Sequence, residues 1–274
     1  MLIDTHCHLD APIFRETPAD LVRAARQQGV DYIVIPAVEA ANFSVVQQLA
    51  QTDPSLVYAL GIHPLYVAQA TLHDLTLLEK QVEQALDDAR FVAIGEIGLD
   101  FFVPELTQEP LRSKQIHFYE AQLQLAQRYQ LPVLLHVRRS QDLILKSLRR
   151  HQLTGIAHAF NGSYQQAQQF IDLGFVLGIG GAMTFTRAKQ IRRLASDTAL
   201  RHIVLETDAP DIPPAWLRPK ENPEQYNRPQ ELRGIALALA QLRQEPFEQI
   251  AQQTTHTAMR VLPRLSQWHQ QRYA

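Results

Sequence analysis

The segment PVLLHV, residues 132–137, is a short apolar run with little alternation between apolar and polar positions. YIVIPA at 32–37 and IVLETD at 203–208 have the same character, which is typical of parallel strands that are covered on both faces. Similar runs recur along the whole chain, and segments with helical spacing of apolar residues separate them. We predict strands over Leu2–His8, Tyr32–Ala37, Val57–His63, Phe91–Ile97, Pro132–Val137, Gly155–Phe160, Phe175–Ile179 and Ile203–Asp208.

The segments between these runs are predicted to be helices, and further helices follow the last strand to the C-terminus. The predicted helices are Pro18–Gly29, Asn42–Gln51, Leu72–Ala89, Leu111–Tyr129, Ser140–His151, Ser163–Leu173, Arg187–Ala195, Gln230–Gln241 and Pro246–Met259. Eight β–α repeats favour an α/β protein with a closed (β/α)8 TIM barrel. The alternative is an open doubly wound sheet, but no glycine-rich dinucleotide fingerprint follows the first strand.

The chain of 274 residues is expected to form a single domain over residues 1–274, because no linker or low-complexity tract interrupts the pattern. Two segments after predicted strands, Phe101–Pro110 and Ala209–Asn227, are irregular, and we expect the second to be a long ordered loop over one barrel face. A content of 46% hydrophobic and 20% charged residues excludes an intrinsically disordered chain.

The formal net charge of −2 excludes a protein that holds nucleic acid by a strongly basic surface alone. Any polyanionic substrate must therefore be held locally, by a few arginines or by metal ions. The single cysteine, Cys7, is expected to pack in the core, since free cysteine behaves as a small apolar residue. The N-terminus lacks the pattern of a signal peptide, so we expect a soluble, cytoplasmic protein that has neither a membrane segment nor an obligate protein partner.

Imidazole and carboxylate side chains recur where the predicted strands end. His6 and His8 share one face of the first strand, with Asp4 one layer below them. The later strand ends carry His63, Glu96, His136, His158 and Asp208. Because active sites of (β/α)8 barrels form at the carboxyl ends of the strands, we expect these groups to converge on one pocket.

Any one of these residues alone is usually an ordinary polar group, but several buried charges side by side are unfavourable unless they are paired or bind metal. Imidazole and carboxylate ligands suit transition metals, and six ligands exceed what one tetrahedral ion needs. We predict two divalent ions per subunit, of zinc, manganese or magnesium, about 3.5–4 Å apart. The expected division places His6, His8 and Asp208 on one ion and His136 and His158 on the other, with Glu96 as the bridge.

The remaining histidines fall in predicted helices or at strand starts and are expected to be ordinary: His73, His117, His151, His202, His256 and His269. Asp208 is the candidate general base beside the attacking water, and Glu96 is the other catalytic carboxylate. Asp4 and Glu206 are candidates for orienting the ligand rings, because a metal-bound histidine donates its other N–H to a carboxylate or carbonyl. For Glu206, an ordinary buried ion pair is the alternative.

Three further residues are candidates for substrate binding. Arg138 follows His136 on the same strand face, and its guanidinium suits a phosphate; a salt bridge within the loop is the alternative. His63 and Asn161 are the other two, whereas Arg139 is expected to point elsewhere. Asp100 has two equal interpretations, as a loop cap or a site residue. Aromatic and basic residues do not interleave along the sequence, so a stacking platform for single strands is not predicted.

Six motifs now carry a resemblance: DTHCHLD (4–10), GIHP (61–64), GEIGLD (95–100), LLH-x-R (134–138), HAFNGS (158–163) and ETDAP (206–210). In this order they resemble the TatD family of metal-dependent hydrolases, which are amidohydrolase-like (β/α)8 barrels, from Ile3 to about Pro229. The resemblance implies a two-metal site on the same six ligands. It also implies hydrolysis of phosphodiester bonds in DNA, often as an exonuclease, although some members act on other esters, including D-aminoacyl-tRNA.

The chain departs from the family pattern in two places where substrate would be contacted. Asp211 stands where members more often carry an aromatic residue, and the segment KENPEQYNRPQEL (220–232) matches the family's Asn-x-Pro segment only at Asn227–Pro229. The leading hypothesis is a deoxyribonuclease that acts at the ends of DNA chains. The alternatives are hydrolysis of a carboxylic ester or amide, such as D-aminoacyl-tRNA or a lactone, and a catalytically inactive barrel that acts as a binding protein. The complete ligand set argues against the last.

Overall fold

A computed structural model describes residues 1–217, 221–222 and 224–273. It confirms the barrel: eight parallel strands pair in the order β1 to β8. Backbone hydrogen bonds from Thr5 to Leu205 (3.1 Å) and from Asp208 to His6 (2.8 Å) link the first strand to the last. The strands are β1 Leu2–Asp4, β2 Val30–Pro36, β3 Leu56–Leu60, β4 Phe91–Asp100, β5 Val133–Arg138, β6 Gly155–Ala157, β7 Phe175–Ile179 and β8 Ile203–Leu205.

The helices begin and end close to the predicted positions. Ser163 caps the sixth helix, since its hydroxyl accepts a hydrogen bond from the backbone of Gln166 at 3.1 Å. Gly174 follows the end of that helix with φ +89°, a conformation that glycine adopts without strain. The helices are α1 Pro18–Gln27, α2 Phe43–Thr52, α3 Leu72–Ala85, α4 Leu111–Arg128, α5 Gln141–Leu148, α6 Tyr164–Asp172, α7 Lys189–Asp197, α8 Leu232–Arg243, α9 Phe247–Val261 and α10 Pro263–Tyr273.

Four strands end three to four residues earlier than the sequence predicts, and β4 continues three residues further. The four are β1, β3, β6 and β8, so that His63 and four of the predicted ligands lie just beyond the strands. Ala159 and Asp208 have φ values of +43° and +56°, and this left-handed conformation does not fit a strand. β4 instead extends to Asp100, which places that residue next to Arg138 in the ladder with β5.

The barrel interior is apolar at the amino ends of the strands. One or two buried residues from every strand form this interior layer, among them Ile3, Val34, Leu134 and Val204. Residues of α9 and α10 pack beneath it and close the barrel. Apolar packing therefore fills the amino end of the barrel, and the predicted site residues lie towards the carboxyl ends of the strands.

A second apolar cluster lies between the strands and the surrounding helices, and Cys7 is fully buried in it, as predicted. None of the helices that the structure describes is long and apolar enough to cross a membrane. Residues 218–220 and 223, within the predicted loop Ala209–Asn227, lie outside the described residues, as does Ala274.

Candidate metal centre

Glu96 lies at the centre of the pocket floor and is almost fully buried. Its Oε2 is 3.0 Å from Nε2 of His6 and 3.5 Å from Nε2 of His8. Its Oε1 is 2.9 Å from Nδ1 of His136 and 2.9 Å from Nε2 of His158. The two oxygens thus face two different pairs of histidines.

Asp208 completes the group on the β1 side. Its Oδ1 lies 3.7 Å from Nε2 of His6 and 3.6 Å from Nε2 of His8. The ligand atoms of these three residues lie within 4.8 Å of one another, as one metal ion requires. The structure therefore brings together all six predicted ligands.

His63, a predicted substrate-binding residue, lines the pocket and lies beside Glu96. Its Nδ1 accepts a hydrogen bond from the backbone of Leu65 at 3.1 Å, which directs Nε2 towards Glu96. That Nε2 is 3.3 Å from Oε1 of Glu96 and 2.9 Å from Nδ1 of His136. These three residues form another group with metal-binding spacing, so His63 belongs to the ligand cluster.

Burial determines the charge of two of these histidines. It lowers the pKa of His6 to about 3, and the neighbouring charge of His158 acts in the same direction. Burial also lowers the pKa of His63 to about 4, although the charge of Glu96 opposes it. Both imidazoles are therefore neutral at pH 7, which is the form that binds a metal ion.

The pKa values of Glu96 and His158 move in opposite directions. Burial alone would raise the pKa of Glu96, but the surrounding imidazoles of His63, His158 and His6 outweigh it and hold this pKa well below its usual range. Burial alone would lower the pKa of His158, but the charges of Glu96 and Asp208 raise it well above its usual range. Glu96 and His158 thus each favour the charged form of the other.

The donor set fits a divalent metal ion. The rings of His6 and His158 stack with centroids 3.9 Å apart, so several imidazoles crowd around one carboxylate. Such crowding of nitrogen donors in a buried space is unfavourable unless a cation binds them. Imidazole nitrogen with carboxylate oxygen is the ligand set of zinc, manganese, iron or nickel. These buried clusters therefore indicate a metal-binding site.

Two carboxylates lie beside the outer nitrogens of the ligand rings. Oε1 of Glu206 accepts a hydrogen bond from the backbone of Ala159 at 2.5 Å and lies 3.5 Å from Nδ1 of His158, which is an ion-pair distance. Oδ2 of Asp100 is 3.0 Å from Nε2 of His136, while its Oδ1 accepts a hydrogen bond from the backbone of Phe102 at 2.7 Å. Asp100 is therefore both a loop cap and a support for a ligand.

Asp4 does not contact a ligand ring, contrary to the prediction. Its Oδ1 accepts hydrogen bonds from the backbone amides of Thr207 (2.9 Å) and His6 (3.3 Å), and Oδ2 accepts one from the Thr207 hydroxyl at 2.6 Å. Because β1 ends at Asp4, the next residues leave the ladder, and the carboxylate bonds to backbone there. Burial raises the pKa of Asp4 to about 7.

A pocket of about 1290 Å³ opens above the cluster, and both Arg138 and Asn161 line it. Nη1 of Arg138 is 3.8 Å from Oδ2 of Asp100, which is the salt bridge within the loop that the sequence leaves open as an alternative. Arg139 lines the same pocket, although the sequence predicted that it points elsewhere. The described part of the chain places the remaining histidines outside the metal-binding groups: His73, His117, His151, His202, His256 and His269.

Comparisons with known proteins agree with this geometry. Residues 3–263 match the family model described as TatD related DNase. A relative from Escherichia coli K12, named as the uncharacterized metal-dependent hydrolase YjjV, is 43% identical over 255 residues, which cover 91% of this chain and 93% of the relative. A mouse relative named as putative deoxyribonuclease TATDN3 is 29% identical over 272 residues, covering 96% of this chain and 89% of the relative.

A solved structure extends the similarity to the fold. The crystal structure of E. coli YjjV, described as a TatD homolog, superposes with a TM-score of 0.88 at 37% identity and covers 96% of this chain and 98% of that chain. The matches confirm the resemblance inferred from the six motifs.

Proposed function

The chain belongs to the TatD-related DNase family and is a metal-dependent hydrolase, and from this premise we propose that it cleaves phosphodiester bonds at the ends of single-stranded DNA. The observation that carries the proposal is the position of Glu96, whose two oxygens face different histidine pairs at the bottom of a pocket. The same pocket also contains a half-exposed guanidinium group, that of Arg138. A guanidinium beside such a centre suits a phosphate, because a neutral ester needs no cationic partner.

We assign two divalent ions of zinc, manganese or magnesium to the centre. His6, His8 and Asp208, whose ligand atoms lie within 4.8 Å of one another, would hold one ion. His136 and His158, which both lie 2.9 Å from Oε1 of Glu96, would hold the other, and Glu96 would bind both. When bound, such a pair supplies Lewis-acid activation of water and of a phosphoryl oxygen.

The chain's own groups perform the remaining steps. The carboxylate of Asp208 faces the pocket and accepts the proton of the attacking water. The guanidinium of Arg138 donates to a non-bridging phosphate oxygen, and Asn161 offers a further hydrogen bond at the pocket wall. Asp100 and Glu206 hold the rings of their histidines in one orientation, so that the ligand atoms need no rearrangement during the reaction.

The test is the degradation of an end-labelled single-stranded DNA by protein reconstituted with magnesium, manganese or zinc in turn. Metal-dependent loss of nucleotides from one end is expected, and the Glu96→Ala variant should show none. Two metal ions per chain without any cleavage would reject the nuclease and retain the hydrolase.

A carboxylic ester that carries an amine, such as D-aminoacyl-tRNA, is the second candidate. Three carboxylates outside the metal cluster, Asp10, Glu39 and Asp211, line one side of the same pocket and would attract an ammonium group. Release of the amino acid from D-aminoacyl-tRNA under conditions where DNA is left intact would favour this candidate.

A further inference from the structure

An aromatic and basic cluster lies at the rim of the pocket, and the proposed mechanism uses only one of its members. The cluster consists of Phe102, Arg138 and Arg139. The Cζ atoms of Arg138 and Arg139 lie 3.8 Å and 4.7 Å from the centre of the Phe102 ring. The ring itself remains 46% exposed, and all three residues line the pocket that contains the metal ligands.

The backbone of Arg139 explains why both guanidinium groups reach one ring. Consecutive residues of a strand point to opposite sides, but Arg139 has φ +55° and so turns the chain out of the strand. The hydroxyl of the next residue, Ser140, donates a buried hydrogen bond to the carbonyl of Leu99 at 2.6 Å. A non-glycine residue in this conformation costs about 1 kcal/mol, which the anchored turn offsets.

Asp100 fixes the cluster with respect to the metal ligands. One of its oxygens accepts a hydrogen bond from the backbone of Phe102 at 2.7 Å, and the other lies 3.0 Å from Nε2 of His136. The position of the cluster therefore depends on the same carboxylate that orients a ligand. Arg138 lies 3.8 Å from this carboxylate, whereas Arg139 forms no ion pair with any residue that the structure describes.

A guanidinium stacked on an aromatic ring keeps its N–H groups available at the edge of its plane. The ring attracts the cation and restricts its orientation, so less entropy is lost when a phosphate binds. The exposed part of Phe102 also offers an apolar surface to a planar base. The cluster thus has the chemistry of a nucleotide-binding surface.

The opposite wall of the pocket has the opposite charge. Asp10, Glu39 and Asp211 follow β1, β2 and β8, which lie across the barrel axis from β4 and β5. Tyr66 lines the pocket together with these carboxylates, and burial and then the charges of Glu39, Asp10 and Asp211 raise its pKa. A chain of phosphates is repelled from this wall and attracted to the arginines.

The size of the pocket leaves room for more than one nucleotide. Its volume of about 1290 Å³ exceeds the roughly 300–1,000 Å³ of sites for small ligands. We propose that Phe102, Arg138 and Arg139 form a subsite for the phosphate next to the one that reacts. A single-stranded chain then leaves the metal centre over the β4–β5 side. This inference rests on the proposed phosphodiesterase function and adds Arg139 and Phe102 as residues that determine substrate preference.

The first measurement is binding to the metal-free protein, which needs no catalysis. Fluorescence anisotropy of a labelled octathymidylate in EDTA gives the dissociation constant over a series of salt concentrations. Arg139→Gln should weaken binding about tenfold at low salt. It should also reduce the magnitude of the slope of log K against log [salt] by about 0.7, the value for one phosphate contact on a single strand. Phe102→Leu, which keeps an apolar side chain without a ring face, should weaken binding and leave the slope unchanged.

Arg233→Gln is the matched control. Arg233 also stacks on a phenylalanine, Phe247, at 4.7 Å, but neither residue lines the pocket as the described residues define it. This variant should bind the oligonucleotide as the wild type does. Thermal unfolding of all variants shows whether the fold is retained, and equal loss of binding in Arg139→Gln and Arg233→Gln would overturn the subsite.

The second measurement compares two substrates of the manganese-loaded protein. Bis(p-nitrophenyl) phosphate has a single phosphate, whereas the octathymidylate has a neighbouring one. Arg139→Gln should lower the ratio of kcat/KM for the oligonucleotide to that for the small diester about tenfold. An unchanged ratio and an unchanged salt slope would overturn the subsite and leave the phosphodiesterase intact. Inactivity of the wild type on both substrates, with the binding effect of Arg139→Gln present, would reject the phosphodiesterase and retain the subsite.

Discussion

Replacing Glu96 with glutamine changes the charge at the centre of the cluster but not its shape. The carboxylate lies between 2.9 and 3.5 Å from nitrogens of five imidazoles, which belong to His6, His8, His63, His136 and His158. The amide keeps one acceptor oxygen and presents an NH₂ group on the other side. It can therefore neither balance the charge of His158 nor bridge two cations.

The size of the effect follows from burial. Removing one partner of a buried charged pair costs about 3–5 kcal/mol, because the remaining charge has no compensation. For a chain of this size, roughly 2–4 °C of melting temperature correspond to 1 kcal/mol. We therefore expect the metal-free Glu96→Gln protein to melt roughly 6–20 °C below the metal-free wild type. Loss of the bridge should also lower kcat/KM about a thousandfold, which is about 4 kcal/mol of transition-state stabilisation.

Calorimetry of EDTA-treated protein measures the change in melting temperature, and the kinetics of the reconstituted protein give kcat/KM. Elemental analysis after reconstitution shows how many ions each variant retains. Asp4→Asn is the matched control, since Asp4 is also fully buried but bonds to Thr207 and to backbone amides. The control should melt at a lower temperature yet retain the wild-type metal content. Glu96→Gln should lose at least one ion per chain. If Glu96→Gln keeps the wild-type metal content and melting temperature, the bridging role is wrong.

Three further outcomes are expected. Burial alone would raise the pKa of Asp53, but hydrogen bonds from Ser55 and Arg26 hold it below its usual range. Asp53→Asn should therefore cost about 1 kcal/mol in urea unfolding at pH 7, and this cost should disappear as the pH falls through the lowered pKa of the folded-state carboxyl. An equal cost at pH 7 and in strong acid would contradict this. A Cβ at Gly178 would lie 2.2 Å from Oε2 of Glu206, so Gly178→Ala should cost about 1–3 kcal/mol, and less when combined with Glu206→Ala; additive costs would show that the two residues do not interact. Addition of the native metal at about 100 times its dissociation constant should stabilise the chelated protein by about 2.7 kcal/mol, and an unchanged melting temperature would mean that the folded site binds no ion.

The convergence of the ligands could be predicted because barrel geometry converts a position in the chain into a position in space. Glu96 and His136 are far apart in sequence, but each lies near the carboxyl end of its strand, and those ends meet around one axis. The same reasoning places His63 at the pocket, but it does not predict that the ring lies within 3.3 Å of Glu96. A hydrogen bond from Leu65 directs this ring towards Glu96, and no periodicity in the sequence reports such a bond.

The supporting contacts depend on where strands stop, which hydrophobic patterning locates only approximately. β1 was expected to continue to His8, and in that case Asp4 would lie beneath the ligand rings. The ladder ends at Asp4 instead, and the carboxylate satisfies the free amides of His6 and Thr207. Asp100 shows the opposite error, because β4 continues to this residue and brings it beside β5. At both positions the carboxylate accepts hydrogen bonds from backbone amides near the end of a strand.

Neither the composition of the chain nor the spacing of its aromatic and basic residues predicted a surface for nucleic acid. Phe102 follows one strand and Arg139 follows the next, so the aromatic and basic residues do not interleave along the sequence and meet only in the folded chain. A left-handed residue then reverses the strand alternation that pointed Arg139 away from the pocket. The net charge of −2 likewise does not show that the two walls of the pocket have opposite charge, because net charge does not report where the charged residues lie. For a polyanionic substrate, the direction of the field across the pocket matters more than its total. We therefore expect that reversing the charge of Arg139 weakens binding of a single-stranded oligonucleotide more than the same charge change on a distant helix does.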